Sequence, residues 1–287
     1  MNSKNETFSL NRFWNLFKYD FNNNKLYYIA TIPVAMFGIG FVLWLNFPGE
    51  ITKNGYNSTS LNFGISSYTF PLFLGYFIYG IIIIGNSFPS LKNERKTLKY
   101  LLLPASTFEK FLLQWGIRVF LFLILYPLLF KFTANITGDI YLGIHKYYIS
   151  QKGFQTTMFP EISKFTFSHY YNEQPKAKIL FLIVGILWSL GASLLFLGAT
   201  YLKNWNLFLG PICITALIFI IYLYLVLLSN FINPDPRHFW NITLKGDKPV
   251  FFNDEIPLIL ISAMSIGIIL SFVSWATAYY RLKEREV

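Results

Sequence analysis

The chain has 287 residues, of which 54% are hydrophobic and only 13% charged, whereas soluble domains carry about 25% charged residues. So small a charged share cannot cover a globule of this size, which excludes a soluble enzyme and makes lipid the solvent. The net charge of +10 does not signal nucleic acid, because no RNA- or DNA-binding motif accompanies it; the basic residues flank apolar runs, where they meet anionic headgroups.

The first predicted element lies in residues 1–26. Leu10, Phe13, Trp14, Phe17 and Phe21 recur at helical spacing, with Arg12, Asn15 and Lys18 elsewhere on the wheel. A helix with an aromatic face and a basic face lies in the plane of the bilayer interface. Its role is either an elbow that positions the first span or a passive anchor. No short apolar stretch ending in a small-residue cleavage site precedes Ile29, so the first apolar run reads as an uncleaved span.

Crossing roughly 30 Å of hydrocarbon at a rise of about 1.5 Å takes about 20 apolar residues. Six runs meet this length, at residues 28–47, 70–88, 111–132, 179–202, 207–231 and 256–280. The expected fold is all-α and polytopic: an interfacial helix, then a six-helix transmembrane domain over residues 27–287. Prolines 33, 71, 127, 211 and 257 lie in or at the ends of the runs, as neighbouring membrane helices permit. The runs are too long for barrel strands and do not alternate apolar with polar residues.

Basic residues set the expected orientation. The N-terminal segment, the loop at residues 89–110, the turn at Lys203 and the C-terminal tail together carry thirteen lysines and arginines, against four in the loops at residues 48–69 and 232–255. The positive-inside rule then makes the first group cytoplasmic, both termini included. The outer loop after the third span, residues 133–178, is long and therefore largely exempt from that rule. Lys203, Asn204, Trp205 and Asn206 leave room only for a tight turn, so the fourth and fifth spans form an antiparallel hairpin.

The loop at residues 89–110 is the most informative segment. Leu91, Lys92, Glu94, Arg95, Lys96 and Lys99 predict a short basic helix near residues 91–102, and Pro104 stops it. Ser106 and Glu109 have the spacing of a capping box, which fixes the start of the third span. A charged, structured element at the cytoplasmic face suits either a soluble partner or anionic lipid. The run Leu103, Pro104, Ala105, Ser106, Thr107, Phe108, Glu109, Lys110, Phe111 resembles a phrase found in ABC transporter permeases of the export class, especially those of Bacteroidota, and the six-span topology is similar to theirs.

That resemblance implies a membrane subunit, homodimeric or heterodimeric, in a bacterial inner membrane and driven by a separate ATP-binding cassette ATPase. It also implies that residues 91–103 lie in or near the helix that docks on the ATPase. The family's largest outer segment usually lies between the fifth and sixth spans, whereas here the longest outer loop follows the third.

The chain itself has no GxxxxGK[ST] phosphate loop, no HExxH and no GxSG, so ATP and magnesium are expected on the partner, and no enzymatic role, cofactor or metal is expected on this chain. His145, His169 and His238 read as surface histidines, and Asp235, Asp247, Asp254 and Glu255 as solvated charge. Cys213, the single cysteine, sits inside an apolar run. Arg118 is the one strongly basic residue well inside a span: either its stem reaches back to the interface, or it lines an aqueous pathway or dimer interface. The competing expectation is a non-transporting membrane scaffold that assembles an envelope complex.

Overall fold

A computed structural model describes residues 8–48, 51–52, 55–56, 62–152, 160–168, 177–232 and 258–285. The fold is all-α and polytopic, with six helices long and apolar enough to cross a membrane: Lys25–Asn46, Ile65–Gly85, Thr107–Tyr148, Leu182–Tyr201, Lys203–Tyr224 and Ile261–Glu284. In chain order the helices are α1 (Leu10–Asn23), α2 (Lys25–Asn46), α3 (Thr69–Gly85), α4 (Glu94–Leu101), α5 (Thr107–Trp115), α6 (Leu121–Lys152), α7 (Ala177–Tyr201), α8 (Asn206–Ile232) and α9 (Leu258–Glu284). Among the described residues there are also four two-residue strands, β1 (Ile51–Thr52), β2 (Gly55–Tyr56), β3 (Asn62–Phe63) and β4 (Glu161–Ile162), with β1 antiparallel to β2 and β3 parallel to β4.

The described residues form two compact units. One is built from Met1–Phe17, Gly80–Phe120 and Lys178–Val287, the other from Lys18–Tyr79 and Leu121–Ala177.

In the second unit α2 packs on α6. A Cβ at Gly40 would lie 3.2 Å from Thr137 Oγ1 and 3.7 Å from Thr133 Cγ2, so the absence of a side chain is what lets the helices approach. Tyr79 donates its hydroxyl to the carbonyl of Ala35 at 3.2 Å, over the bare backbone of Gly38. Tyr126 does the same to Leu72 at 2.9 Å, over Gly75. Polar hydrogen at membrane depth is thus spent on helix carbonyls, which have a second lone pair to offer.

The far part of this unit is a ring cluster. Phe47, Phe63, Tyr68, Phe130, Tyr141 and Phe165 are buried and meet edge to face or tilted, for example Phe63 on Tyr68 at 4.8 Å and Phe130 on Phe165 at 5.2 Å. Segment 160–168 is fastened to α6 by Asn135, whose amide receives the Phe165 N–H at 2.9 Å and donates to the Phe165 carbonyl at 3.3 Å.

The first part of the segment expected as an outer loop, residues 133–178, is helical, because α6 runs on to Lys152. Loss of hydropathy after Phe132 ends the apolar stretch but not the helix, because no proline follows Pro127 until Pro160. At a rise of about 1.5 Å, the 32 residues of α6 reach about 48 Å, more than the hydrocarbon thickness. The expected outer loop at residues 232–255 lies outside the described residues apart from Ile232.

In the first unit α7 and α8 form the expected hairpin. A 3₁₀ turn at Lys203–Trp205 joins them, with Lys203 in the left-handed region at φ 49°. Asn206 locks the turn: its buried amide donates to the carbonyls of Gly85 at 2.9 Å and Leu195 at 2.8 Å. Helix α9 meets α5 through rings, Trp275 on Trp115 at 5.9 Å and Tyr279 on Phe111 at 5.7 Å. Helix α8 is almost wholly uncovered along its apolar length, and Cys213 is exposed on it.

Candidate partner-docking platform

The platform consists of α4 and the junction beneath it, all in the first unit. The α4 sequence folds locally for identifiable reasons. Asn93 caps its N-terminus, its side chain accepting the Arg95 N–H at 3.0 Å. Glu94 stands in the first turn and Lys99 in the last, where each charge complements the helix dipole. Thr97 donates its hydroxyl to the carbonyls of Asn93 at 2.9 Å and Ser90 at 3.1 Å, which ties α4 to the 3₁₀ turn Pro89–Lys92 before it.

The helix has two faces. Leu91 and Tyr100 are buried beneath it, whereas Glu94, Arg95, Lys96 and Lys99 are exposed. Between these charges stand two apolar side chains that the sequence reading did not single out, Leu98 at 63% exposure and Leu102 at 82%. An amphipathic pattern in which leucines interrupt the charged face was the available signal. The sequence also grouped Leu91 and Lys92 with the docking residues. Leu91 is buried as a foot of the platform, and Lys92 is half-buried and donates to Asn86 Oδ1.

Below α4 the chain turns at Pro104 and enters α5 through the capping box. Ser106 Oγ accepts the Glu109 N–H at 3.2 Å, and Glu109 Oε2 accepts the Ser106 N–H at 2.8 Å. Glu109 is fully buried, and its other oxygen reaches across the fold. Oε1 accepts the Ser9 N–H at 2.7 Å and Arg12 Nη2 at 3.1 Å. One carboxylate thus satisfies the start of α5 and holds the start of the amphipathic α1. The next residue, Lys110, is also buried and donates to the carbonyl of Leu101 at 2.9 Å. That carbonyl ends α4, where a cation offsets the negative end of the helix dipole.

Arg118 lies on a single π-helical turn, Gly116–Phe120, that follows α5. It is 1% exposed. Gln114, four residues before it, accepts the Phe88 N–H at 3.4 Å, and Phe88 is itself held at a left-handed φ of 53°. Burial, and after it the Arg118 guanidinium, pulls the Lys92 ammonium below the usual lysine range.

Elsewhere His145 stacks on Tyr141 and shares a hydrogen bond with its carbonyl at 3.0 Å. His169, His238, Asp235, Asp247, Asp254 and Glu255 lie outside the described residues. Among the described residues, no three His, Cys, Asp or Glu side chains come together as a metal site.

Comparison with known proteins returned no match to a family model, a curated protein or a solved structure.

Proposed function

We propose that the chain is the membrane-spanning subunit of an ATP-driven exporter, coupled to a separate ATP-binding cassette subunit through the loop at residues 89–110. In this reading it works as a homodimer or heterodimer in a bacterial inner membrane, with both termini and α4 on the cytoplasmic side. The observation that carries the reading is the buried Glu109, which fastens α1 and the start of α5 into one piece. Lys110 adds α4 to that piece through the Leu101 carbonyl. A push on α4 therefore moves the first turn of the third span and the interfacial helix together.

Glu94, Arg95, Lys96 and Lys99 face the partner, with Leu98 and Leu102 as apolar contacts. Coupling requires the ATPase to bind two conformations of the spans with different affinity, so that its closure shifts their balance. Hydrolysis takes place on the partner. This chain supplies the lever and the pathway.

The test is recovery of an ATPase with the tagged chain from its native host in mild detergent. Wild type is expected to bring down a cassette ATPase. Arg95→Glu with Lys96→Glu is expected to lower its recovery by about tenfold, as reversal of interfacial charges does, while leaving the melting temperature unchanged. Equal recovery with both chains, or no ATPase with wild type, overturns the reading and favours the scaffold.

A further inference from the structure

The ends of α7 and α9 are clamped together by two arginines. Arg281 lays its guanidinium on the Tyr201 ring, with Cζ 4.9 Å from the centroid, and donates through Nη1 to Glu284 Oε2 at 2.8 Å. Arg285, just past α9, donates through Nη2 to the Thr200 carbonyl at 2.5 Å. Consecutive residues of α7 thus receive both arginines. The Thr200 carbonyl belongs to the last turn of α7, where no further helix amide is available to it, so the guanidinium stands in for the missing donor.

The clamp holds more positive charge than this capping uses. The turn after Tyr201 adds Lys203, and Lys283 stands between the arginines; both lysines are exposed. Among the described residues of these ends, Lys203, Arg281, Lys283 and Arg285 face a single carboxylate, that of Glu284. The C-termini of α7 and α9 each contribute about half a negative charge, which leaves about two positive charges in excess. Among the described residues, no carboxylate pairs with Arg285, Lys203 or Lys283, and the buried Arg281 Nε has no hydrogen-bond partner, whereas buried polar atoms are nearly always bonded.

The surface that continues from these charges is apolar. Trp205, Phe208, Leu209 and Ile212 are exposed, and their spacing puts them on one face of the turn and the first part of α8. Helix α8 packs on α9, where Tyr280 is exposed beside Arg281. A soluble anion has no use for such a face. An acidic phospholipid uses both parts, its phosphodiester meeting the cations and its acyl chains the uncovered helix. Trp and Tyr, with one wet and one apolar end, mark the level at which headgroup and chain join.

We propose that the joined ends of α7 and α9 bind the headgroup of an acidic phospholipid. Arg281 and Arg285 supply charge-assisted donors to the phosphodiester, and the clamp orders their guanidinium planes before the lipid arrives. Lys203 and Lys283 add attraction toward the anionic headgroup. Trp205 and Phe208 flank the acyl chains. The site is independent of ATPase coupling and holds equally for a scaffold.

The test is native mass spectrometry of the full-length chain in neutral detergent, titrated with phosphatidylglycerol or with phosphatidylcholine of the same acyl chains. Wild type is expected to retain phosphatidylglycerol in preference. Lys203→Gln and Arg285→Gln are each expected to lower that retention about fivefold, the worth of one basic residue at an anionic surface. Lys96→Gln, an equal loss of charge on the exposed face of α4, is expected to leave it unchanged.

Arg285→Gln also frees the Thr200 carbonyl and so loosens the clamp. Lys203→Gln removes only an exposed charge, and it decides the test where Arg285→Gln lowers the melting temperature. The proposal is overturned if wild type retains the two lipids alike, or if Lys203→Gln retains as much phosphatidylglycerol as Lys96→Gln.

Discussion

The Glu109 junction and the ring cluster around Phe165 both join segments far apart in sequence, and they do it by opposite means. At the junction one carboxylate receives three donors from two segments about a hundred residues apart. In the cluster, Phe47, Phe63, Tyr68, Phe130, Tyr141 and Phe165 share the work through ring contacts at about 5 to 6 Å. The ionic joint is specific and brittle, because all three donors depend on the one buried carboxylate of Glu109. The ring joint is tolerant, because each ring has several neighbours and none has a unique geometry. The brittle joint stands next to the exposed charged helix α4; the tolerant one secures segment 160–168.

The contrast breaks if truncation at the two joints exposes the same stretch of chain to protease. Glu109→Ala is expected to have the largest effect, about 3 kcal/mol or more, since it removes the ion pair with Arg12 and the acceptor of the Ser9 and Ser106 amides. Melting in detergent together with protease cleavage within α1 checks it, and an unchanged cleavage rate contradicts the junction. Phe165→Ala is expected to cost about 3 kcal/mol from lost burial and the void. Its protease sensitivity should rise only in segment 160–168.

A third test sharpens the picture of how helices meet inside the ring-bearing unit. Gly38→Ala places a Cβ 1.9 Å from Tyr79 Oη, so the ring must shift and give up its bond to Ala35. A cost of about 1–3 kcal/mol is expected from overpacking, and Tyr79→Phe in the same chain should return most of it. Failure of that rescue means that α2 and α3 do not meet through this hydroxyl.

The smallest change in stability belongs to Leu98→Ser, within about 0.5 kcal/mol, because the side chain is mostly exposed. If Leu98 seats on the ATPase, the same substitution should lower ATPase recovery by about tenfold, the worth of burying one leucine.

Much of this architecture was legible in the sequence because its signals are local. Twenty apolar residues in a row mark a span wherever they occur. The Ser106–Glu109 spacing announced the capping box found at the start of α5, and the four residues from Lys203 to Asn206 left no alternative to a hairpin. What stayed hidden is tertiary or concerns helix ends. Nothing in Ser9 or Arg12 advertises a bond to Glu109. Hydropathy reports the solvent around a helix and not its hydrogen bonds, so the extension of α6 beyond Phe132 was invisible. The π turn at Arg118 changes the hydrogen-bond register by one residue without a change in composition. On the exposed side of α4 the charges were legible and Leu98 and Leu102 were not, since leucines within a membrane protein draw no notice until their exposure is known.

The exposed thiol on α8 has a practical consequence. Since Cys213 is the single cysteine in the chain, a spin label or thiol-directed crosslinker that partitions into the bilayer would report from one defined point on α8. Oxidative crosslinking in native membranes would trap a symmetric pair only where two copies meet along that helix, and spin-label distances would measure their separation where they meet elsewhere. The question of self-association can thus be asked of the unaltered molecule.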